Sequence, residues 1–417
     1  MMISNNRYRE AFVWVWLPGA SEPVVAGKLE DNNGHIVFNY GKSYLERSHA
    51  ISLYQPELPL RAGALPLLDG LSMPGCIRDA APDAWGRRVI INKLLGGNAA
   101  DTAQLSELAY LLESGSDRIG ALDFQPSATE YRPRSPGSAS LDELLESAQR
   151  VERGELLTPA LDQALYHGSS IGGARPKALI EDQAKKYVAK FSSTTDLYSV
   201  VKVEYIAMRL AAEVGLNVAP VTLTQASNKD VLLIERFDRK KQQGQWQRQM
   251  MISALTLFGL DEMMARYASY ENLAEIIRYQ FSSPADTLKE LFSRLVFNIL
   301  CGNTDDHARN HAAFWDGQQL SLTPAYDICP QGRAGNEASQ AMLIAADNNL
   351  SQISNCLKAA HNFLLSKQQA LAIVERQHAV IEQHWGRVCD EASIDEVDRR
   401  LLWGRQFLNP FAFEGLS

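Results

Sequence analysis

Gly302-Asn-Thr-Asp-Asp-His-Ala-Arg-Asn-His311 is the stretch on which the reading of this chain turns. Upstream of it an apolar run, Leu288 to Cys301, has the makeup of a buried helix. Gly302 is a natural stop, because glycine takes the left-handed conformation that ends helices without steric cost. Two polar side chains then follow five positions apart, Asp305 and Asn310. Further on, Ala312-Ala-Phe-Trp315 and Leu320-Ser-Leu-Thr323 flank Asp316-Gly317, a hairpin pattern. That hairpin delivers Pro324-Ala-Tyr-Asp-Ile328, so a second carboxylate, Asp327, stands at a strand end.

The interval from Asp305 to Asn310 is that of the protein kinase catalytic loop, HRDxxxxN. In that loop the Asp receives the proton of the acceptor hydroxyl and the Asn helps to hold Mg²⁺. Asp327 takes the place of the next metal-chelating carboxylate, and Mg²⁺ favours one or two carboxylates completed by phosphate oxygens and water. An Asp-x4-Asn interval alone also arises in solvated loops; the ordered set of helix, loop, hairpin and Asp carries the reading. His307 and His311 form an HxxxH pair, which can bind Zn²⁺ on a helix. This segment lacks the Glu of HExxH and has no obvious third ligand, so His307 reads as support for the loop or as solvated. Asp306, beside the expected base, has no role legible in the sequence.

Two upstream segments complete a nucleotide site. Gly168-Ser-Ser-Ile-Gly-Gly-Ala-Arg-Pro-Lys177 precedes a strand, and its glycines let backbone amides approach phosphates. It is neither a Walker A loop nor GxGxxG. Ser170, Gly172, Gly173 and Ala174 are the expected contacts. Lys190, in the middle of Tyr187-Val-Ala-Lys-Phe191, is placed to grip the α- and β-phosphates. Glu204, early on the helical stripe Val203–Val214, would pair with it and keep it charged. Leu232-Leu-Ile-Glu-Arg-Phe-Asp-Arg239 has the form of a hinge: backbone near Glu235 and Phe237 meets adenine and Asp238 reaches the ribose. Each segment alone is also compatible with an ordinary turn, an exposed strand lysine or a strand with charged flanks.

Four segments, Ser169–Lys177, Ile234–Arg239, Asn303–Asn310 and Leu322–Ile328, together resemble the HipA family of bacterial toxin kinases and occur in that family's order. Ile77–Arg88 and Gly115–Ala121 resemble the family's N-terminal region. The resemblance implies an α+β, protein-kinase-like two-lobed fold with a mixed β/α N-terminal region and a mostly helical C-terminal lobe. It implies a serine/threonine protein kinase using ATP and Mg²⁺, with His307 among the nucleotide contacts. It also implies a HipB-like helix-turn-helix antitoxin that binds DNA, and a protein substrate that in some relatives is an aminoacyl-tRNA synthetase. Autophosphorylation of a serine in the Gly-rich loop switches such kinases off; Ser170 holds that position, with Ser169 beside it. Arg175-Pro176 stands where some relatives carry Gln-Glu. A small-molecule kinase on the same core, and a non-catalytic co-repressor acting with the antitoxin, are the rival readings.

The bulk properties set bounds. The chain has 417 residues, 46% hydrophobic and 22% charged, enough for two or three globular domains. Its net charge of -8 argues against holding DNA by its own field, so DNA is expected only through a partner. Five scattered cysteines without a CxxC fit reduced thiols. No signal peptide and no membrane-length apolar run is evident, so a cytoplasmic protein is expected. Asn32-Asn33-Gly34 marks a hairpin near the N-terminus; Pro82–Leu95, stopping at Gly96-Gly97, and Leu105–Leu112 read as helices. Gln125–Ser140 holds three prolines and four serines, the composition of a linker or exposed loop. The expected domains are 1–125, a linker over 126–140, an ATP-binding region over 141–245 and a helical catalytic lobe over 246–417.

Overall fold

The computed structural model describes the chain except residues 1–7, 96–104, 135–138, 156, 158–168, 171, 172, 174, 194, 195, 197, 334 and 417. The fold is α+β, in two compact units. The first is Met1–Asp196 with Thr224–Ile252 and Trp315–Gln318; the second is Leu197–Leu223, Ser253–Phe314 and Gln319–Ser417.

The first unit carries two larger sheets. In one, β1 (Glu10–Val15), β2 (Val24–Asn32), β3 (His35–Tyr40), β4 (Ala64–Leu65) and β5 (Leu122–Gln125) take the order β4-β3-β2-β1-β5. Alternation sets its faces: Ala11, Val13 and Val15 of β1 are buried. Asn33 and Gly34, both with positive φ (55° and 84°), make the expected turn between Asn32 and His35. The stretch expected as a linker or exposed loop is an exposed loop through residues 126–134, tied down at two points. Tyr131 stands edge-on to Trp16 and donates to Asp123 Oδ2, and Arg134 bonds Ser114 O and Asp123 Oδ1. Its proline and serine content says nothing of the buried acid it finds.

The second sheet contains β6 (Lys177–Glu181), β7 (Lys186–Phe191), β8 (Val221–Ala226) and β9 (Lys229–Glu235) in the order β6-β7-β9-β8. Helices Ala84–Leu95 and Leu141–Glu152 lie over it, joining Trp85, Val89, Leu144, Leu145 and Val151 to Ala178, Ala189, Phe191 and Val231 in one core. Ser140 and Glu143 form a capping box at the start of the second helix. A hairpin absent from the sequence reading, β10 (Arg239–Gln242) and β11 (Gln245–Arg248), turns at Gln243 and Gly244 with φ of 50° and 82°. The expected stop at Gly96-Gly97 lies outside the described residues.

The second unit is mainly helical: Val200–Glu213, Tyr270–Gln280, Pro284–Cys301 and Lys367–Glu391. Helix Val200–Glu213, expected with the ATP-binding region, belongs here. Lys202 Nζ donates to Ser393 O at 2.9 Å, Arg209 meets Glu391 at 3.3 Å and Arg387 meets Glu213 at 2.6 Å. The expected boundary at 245 therefore does not coincide with the compact units: β9, β10 and β11 remain with the first, and the helix before β8 joins the second. Helix Pro284–Cys301 starts earlier than its apolar run, because Pro284 at the first turn and Ser283 before it lead the chain into the helix. Among the described residues no helix is long and apolar enough to cross a membrane.

Gly302 ends that helix with φ 72°, and a Cβ there would sit 2.6 Å from Gln406 O. Gly302→Ala is expected to lose at least about 2 kcal/mol in denaturant unfolding, from the left-handed backbone plus the collision. Gly404→Ala, with φ 76° and open space around it, should lose only the backbone part, about 1 kcal/mol.

Candidate active site

The segment after Gly302 is a loop fixed by backbone bonds on every side. Asn303 N donates to Asn298 O (2.8 Å), Gln331 N to Gly302 O (2.9 Å) and Ala341 N to Thr304 O (3.1 Å). Leu255 N reaches Ala308 O (3.2 Å) and Ala254 N reaches His311 O (2.8 Å). Inside the loop, His307 N donates to Asp305 O (2.9 Å) and Asn310 N to His307 O (2.8 Å). This turn presents Asp305 to solvent and draws Asn310 inward. Asn310 Nδ2 donates to Asp305 O at 3.1 Å, which leaves its Oδ1 as the oxygen able to hold a cation.

Asp306 points the other way and is buried. His311 Nε2 donates to its Oδ1 at 2.9 Å, and the Tyr270 hydroxyl donates to its Oδ2. The charge without a legible role thus has two core partners, and His311 is committed inward rather than paired with the half-buried His307 on a metal. Among the described residues no group of three or more His, Cys, Asp or Glu is placed to hold a metal ion.

The strands Ala312–Trp315 and Leu320–Leu322 form the expected hairpin. Beyond it, Ala325 is locked by bonds from Ala219 N to its carbonyl (2.9 Å) and from its own amide to Asn217 O (2.8 Å). Arg294, buried in the helix before the loop, bonds Thr323 O at 2.8 Å and Glu290 at 2.9 Å; burial lowers its pKa from the usual arginine value. Tyr326 OH donates to Arg309 O at 2.7 Å, tying the hairpin exit to the loop. Asp327 then takes φ of 58°. A left-handed residue other than glycine is uncommon, Asp is among the more tolerant, and such outliers concentrate at functional sites.

In the first unit, the Gly-rich loop is seated on the N-terminal region. Gly115 N donates to Ser169 Oγ (2.9 Å), and Ser170 Oγ donates to Asp117 O (3.2 Å). Both serines are buried. Gly173 N donates to the Asp83 carboxylate, and Trp85 N donates to Gly173 O at 3.1 Å. Trp85 Nε1 reaches Lys177 O at 2.9 Å. Gly172 and Ala174 lie outside the described residues. Lys190 is buried in mid-strand and directly opposite Lys177 in the β6–β7 register. A Cβ on Gly173 would collide with Lys177 Nζ, so glycine makes room for that ammonium. Lys177 was missed as a phosphate candidate because cross-strand register is not visible in sequence. Glu204, buried, is on helix Val200–Glu213 of the second unit.

At the hinge-like strand end, Glu235 pairs with Lys185 at 2.6 Å and Phe237 is half-buried. Asp238 departs from the expectation that it reaches a ribose. Its carboxylate is buried and accepts from Arg236 Nη2, Arg239 Nη1 and Gly120 N, each at 2.8 Å. Asp117 completes the cluster, with Arg239 Nη2 and Lys186 Nζ each at 2.8 Å and Arg236 Nη1 at 3.0 Å. Burial alone would raise both carboxyls. The flanking guanidinium groups outweigh it, holding Asp238 below and Asp117 well below the usual carboxylate range. Two arginines following a hydrophobic strand were the signal for such a cluster, but the partner acid lies far away in sequence.

Residues 169–385 match the HipA-like C-terminal domain family and residues 15–125 the HipA N-terminal domain family. A relative in Sinorhizobium fredii, Y4mE, whose name marks it as a conjectured kinase, is 26% identical over 344 residues, covering 75% of this chain and 76% of that protein. The serine/threonine-protein kinase toxin HipA of Shewanella oneidensis is 25% identical over 252 residues, 53% of this chain and 55% of its own length. A solved structure of a Shewanella oneidensis HipA, HipB and operator DNA complex has a chain that superposes with a TM-score of 0.67 at 21% identity, covering 96% of this chain and 99% of that one.

The ion cluster separates two roles for Asp238. Asp238→Ala leaves Arg236 and Arg239 sharing Asp117 as their one remaining carboxylate and is expected to cost about 3 kcal/mol in unfolding free energy. Because the folded pKa is depressed, the stabilisation is present above the unfolded value near 4 and fades as pH falls below it. The wild-type protein should therefore lose more stability on acidification than the variant does. A surface ribose contact would instead leave unfolding unchanged and raise only the KM for nucleotide.

Proposed function

Because the chain belongs to the HipA family, we propose that it is a serine/threonine protein kinase toxin that transfers the γ-phosphate of ATP to a hydroxyl on a protein. The observation that carries this reading is the loop turning Asp305 outward and Asn310 inward, followed by Asp327 in a left-handed conformation.

Asp305 orients the acceptor hydroxyl and takes its proton. Asn310 Oδ1 and the Asp327 carboxylate are hard oxygen donors, which suits Mg²⁺ completed by phosphate oxygens and water. When bound, Mg²⁺ neutralises charge on the nucleotide phosphates. Lys190 and Lys177, opposite each other on β6 and β7, add positive charge for the phosphates, together with the Gly-rich loop over Ser170, Gly172, Gly173 and Ala174; the Gly173 amide, held by the Asp83 carboxylate, serves the phosphates only once that bond is released. Backbone groups at Glu235 and Phe237 receive the adenine, and His307 completes the nucleotide contacts. Asp238 supports this edge through the arginines and leaves the ribose to other groups.

Ser170, with Ser169 as alternate, is the autophosphorylation site. A phosphate adds about -1.5 to -2 charges at neutral pH and cannot coexist with the buried hydroxyl bonds to Gly115 and Asp117. The partner is a HipB-like antitoxin, as in the complex of the Shewanella oneidensis relative, and DNA is reached through it because this chain carries a net charge of -8. The substrate is a cytoplasmic protein, of which an aminoacyl-tRNA synthetase is the class carried over from the family. The domains proposed are an N-terminal module to residue 125, an ATP-binding region and a helical catalytic region.

Intact-mass spectrometry after incubation with Mg²⁺-ATP tests this. The wild-type protein should gain one phosphate, mapping to Ser170 or Ser169. Asp327→Ala should gain none, and Asp305→Asn should be slower by roughly 10²–10⁴-fold. No gain in wild type that still binds ATP would move the assignment to a small-molecule kinase or to a binding role with the antitoxin.

A further inference from the structure

We propose that Asp306, His311 and Tyr270 form a buried clasp that sets the reach between Asp305 and Asn310, making all three positioning residues for phosphotransfer. The inference rests on the kinase reading of that loop. Asp306 directly follows the proposed base and His311 directly follows the proposed metal-holding Asn310. Their side chains close the loop from beneath: His311 Nε2 lies 2.9 Å from Asp306 Oδ1. Tyr270 donates its hydroxyl to Asp306 Oδ2 and lies 3.3 Å from His311 Nε2. The tyrosine ring stands edge-on to the imidazole with centroids 5.5 Å apart. Exposure is 0% for Tyr270, 2% for Asp306 and 3% for His311.

Each member is anchored independently. Tyr270 opens helix Tyr270–Gln280 behind the Ser269 cap, and its amide donates to Leu343 O at 2.9 Å. The His311 carbonyl accepts from Ala254 N at 2.8 Å. The clasp is thus a fixed bar between the framework and both ends of the loop. Apolar side chains of the same volume would fill the space, but they would not fix the separation, because only hydrogen bonds are directional at this range. Burying a charged group in the core has a desolvation cost that packing alone would avoid. What the group supplies in return is a set distance from Asp305 to Asn310, and phosphotransfer depends on positioning to fractions of an ångström. The short bonds inside the turn, His307 N to Asp305 O and Asn310 Nδ2 to Asp305 O, keep the loop's local shape. They do not tie it to the core.

The test uses the full chain with two independent readouts. Amide hydrogen exchange over residues 305–311 reads the clasp without reference to catalysis; kcat and the KM for ATP read its consequence. Asp306→Ala and His311→Ala should each exchange about 10-fold faster in this segment. They should lose roughly 10–100-fold in kcat while the KM for ATP stays within about 3-fold. The double variant should be no worse than the poorer single one, since both remove the same tie. Asp306→Asn should restore most of both readouts, because its amide oxygen still accepts from His311. Tyr270→Phe removes one hydroxyl and keeps the ring; it is the variant to read if Asp306→Ala fails to fold, and faster loop exchange is expected. Wild-type exchange in the alanine variants, or in Tyr270→Phe, overturns the clasp, as does a fully additive double variant. Full wild-type turnover in Asp305→Asn would instead remove Asp305 from the role of base, and no phosphotransfer by the wild-type chain would overturn the kinase reading; the exchange result would stand apart from both.

Discussion

The apolar helix Pro284–Cys301 cannot continue past Gly302, and the site depends on that stop. Gly302 reverses the chain in a left-handed turn pressed against Gln406, so the following residues leave the core as a loop while their backbone stays tied to four surrounding segments. Within that loop adjacent carboxylates are sorted. Asp305 goes to solvent, where a substrate can meet it; Asp306 goes to the interior, where two donors satisfy it. The same arrangement explains the uncommon backbone of Asp327. Ala325 is held on Asn217 and Ala219, Tyr326 on Arg309, and the next residue must turn back.

The first unit is organised by a different force. Buried Asp238, Arg236 and Arg239, with half-buried Asp117 at the edge, form an ionic cluster that joins the N-terminal segment around Gly120 to the end of β9. Buried ion pairs add little net stability against an apolar core, but breaking one is severe. Such a cluster therefore specifies which segments meet more than it strengthens the fold. Asp117 also accepts the Ser170 hydroxyl through its carbonyl. Seating of the Gly-rich loop and formation of the hinge-like edge thus share one residue.

Much of this was legible in the sequence. The helix ending at Gly302, the hairpin before Asp327, the Asn33-Gly34 turn and strands β6, β7 and β9 all announce themselves through local rules: a glycine stop, a two-residue turn, an apolar run of strand length. What escaped was set by partners distant in sequence. The Gln125–Ser140 stretch has a linker's composition, yet Tyr131 and Arg134 find Asp123. Helix Val200–Glu213 follows strands β6 and β7 in sequence, yet its polar ties are to Glu391, Arg387 and Ser393. Asp238 reads as a ribose contact until Gly120, more than a hundred residues away, supplies its third donor. Asp306 has no legible role in the sequence, and Lys177 does not stand out there, for the same reason: burial and register emerge only when the chain is folded.

The central claim is that Asp327 and Asn310 make this chain a Mg²⁺-dependent nucleotide-binding protein. Calorimetric titration of the full chain with a non-hydrolysable ATP analogue, with Mg²⁺ and with Mg²⁺ removed by chelation, tests it most directly. The account predicts that Mg²⁺ tightens binding by at least about 10-fold in wild type and has no effect on Asp327→Ala. Equal affinity with and without Mg²⁺, or an unchanged Mg²⁺ dependence in the variant, would contradict it.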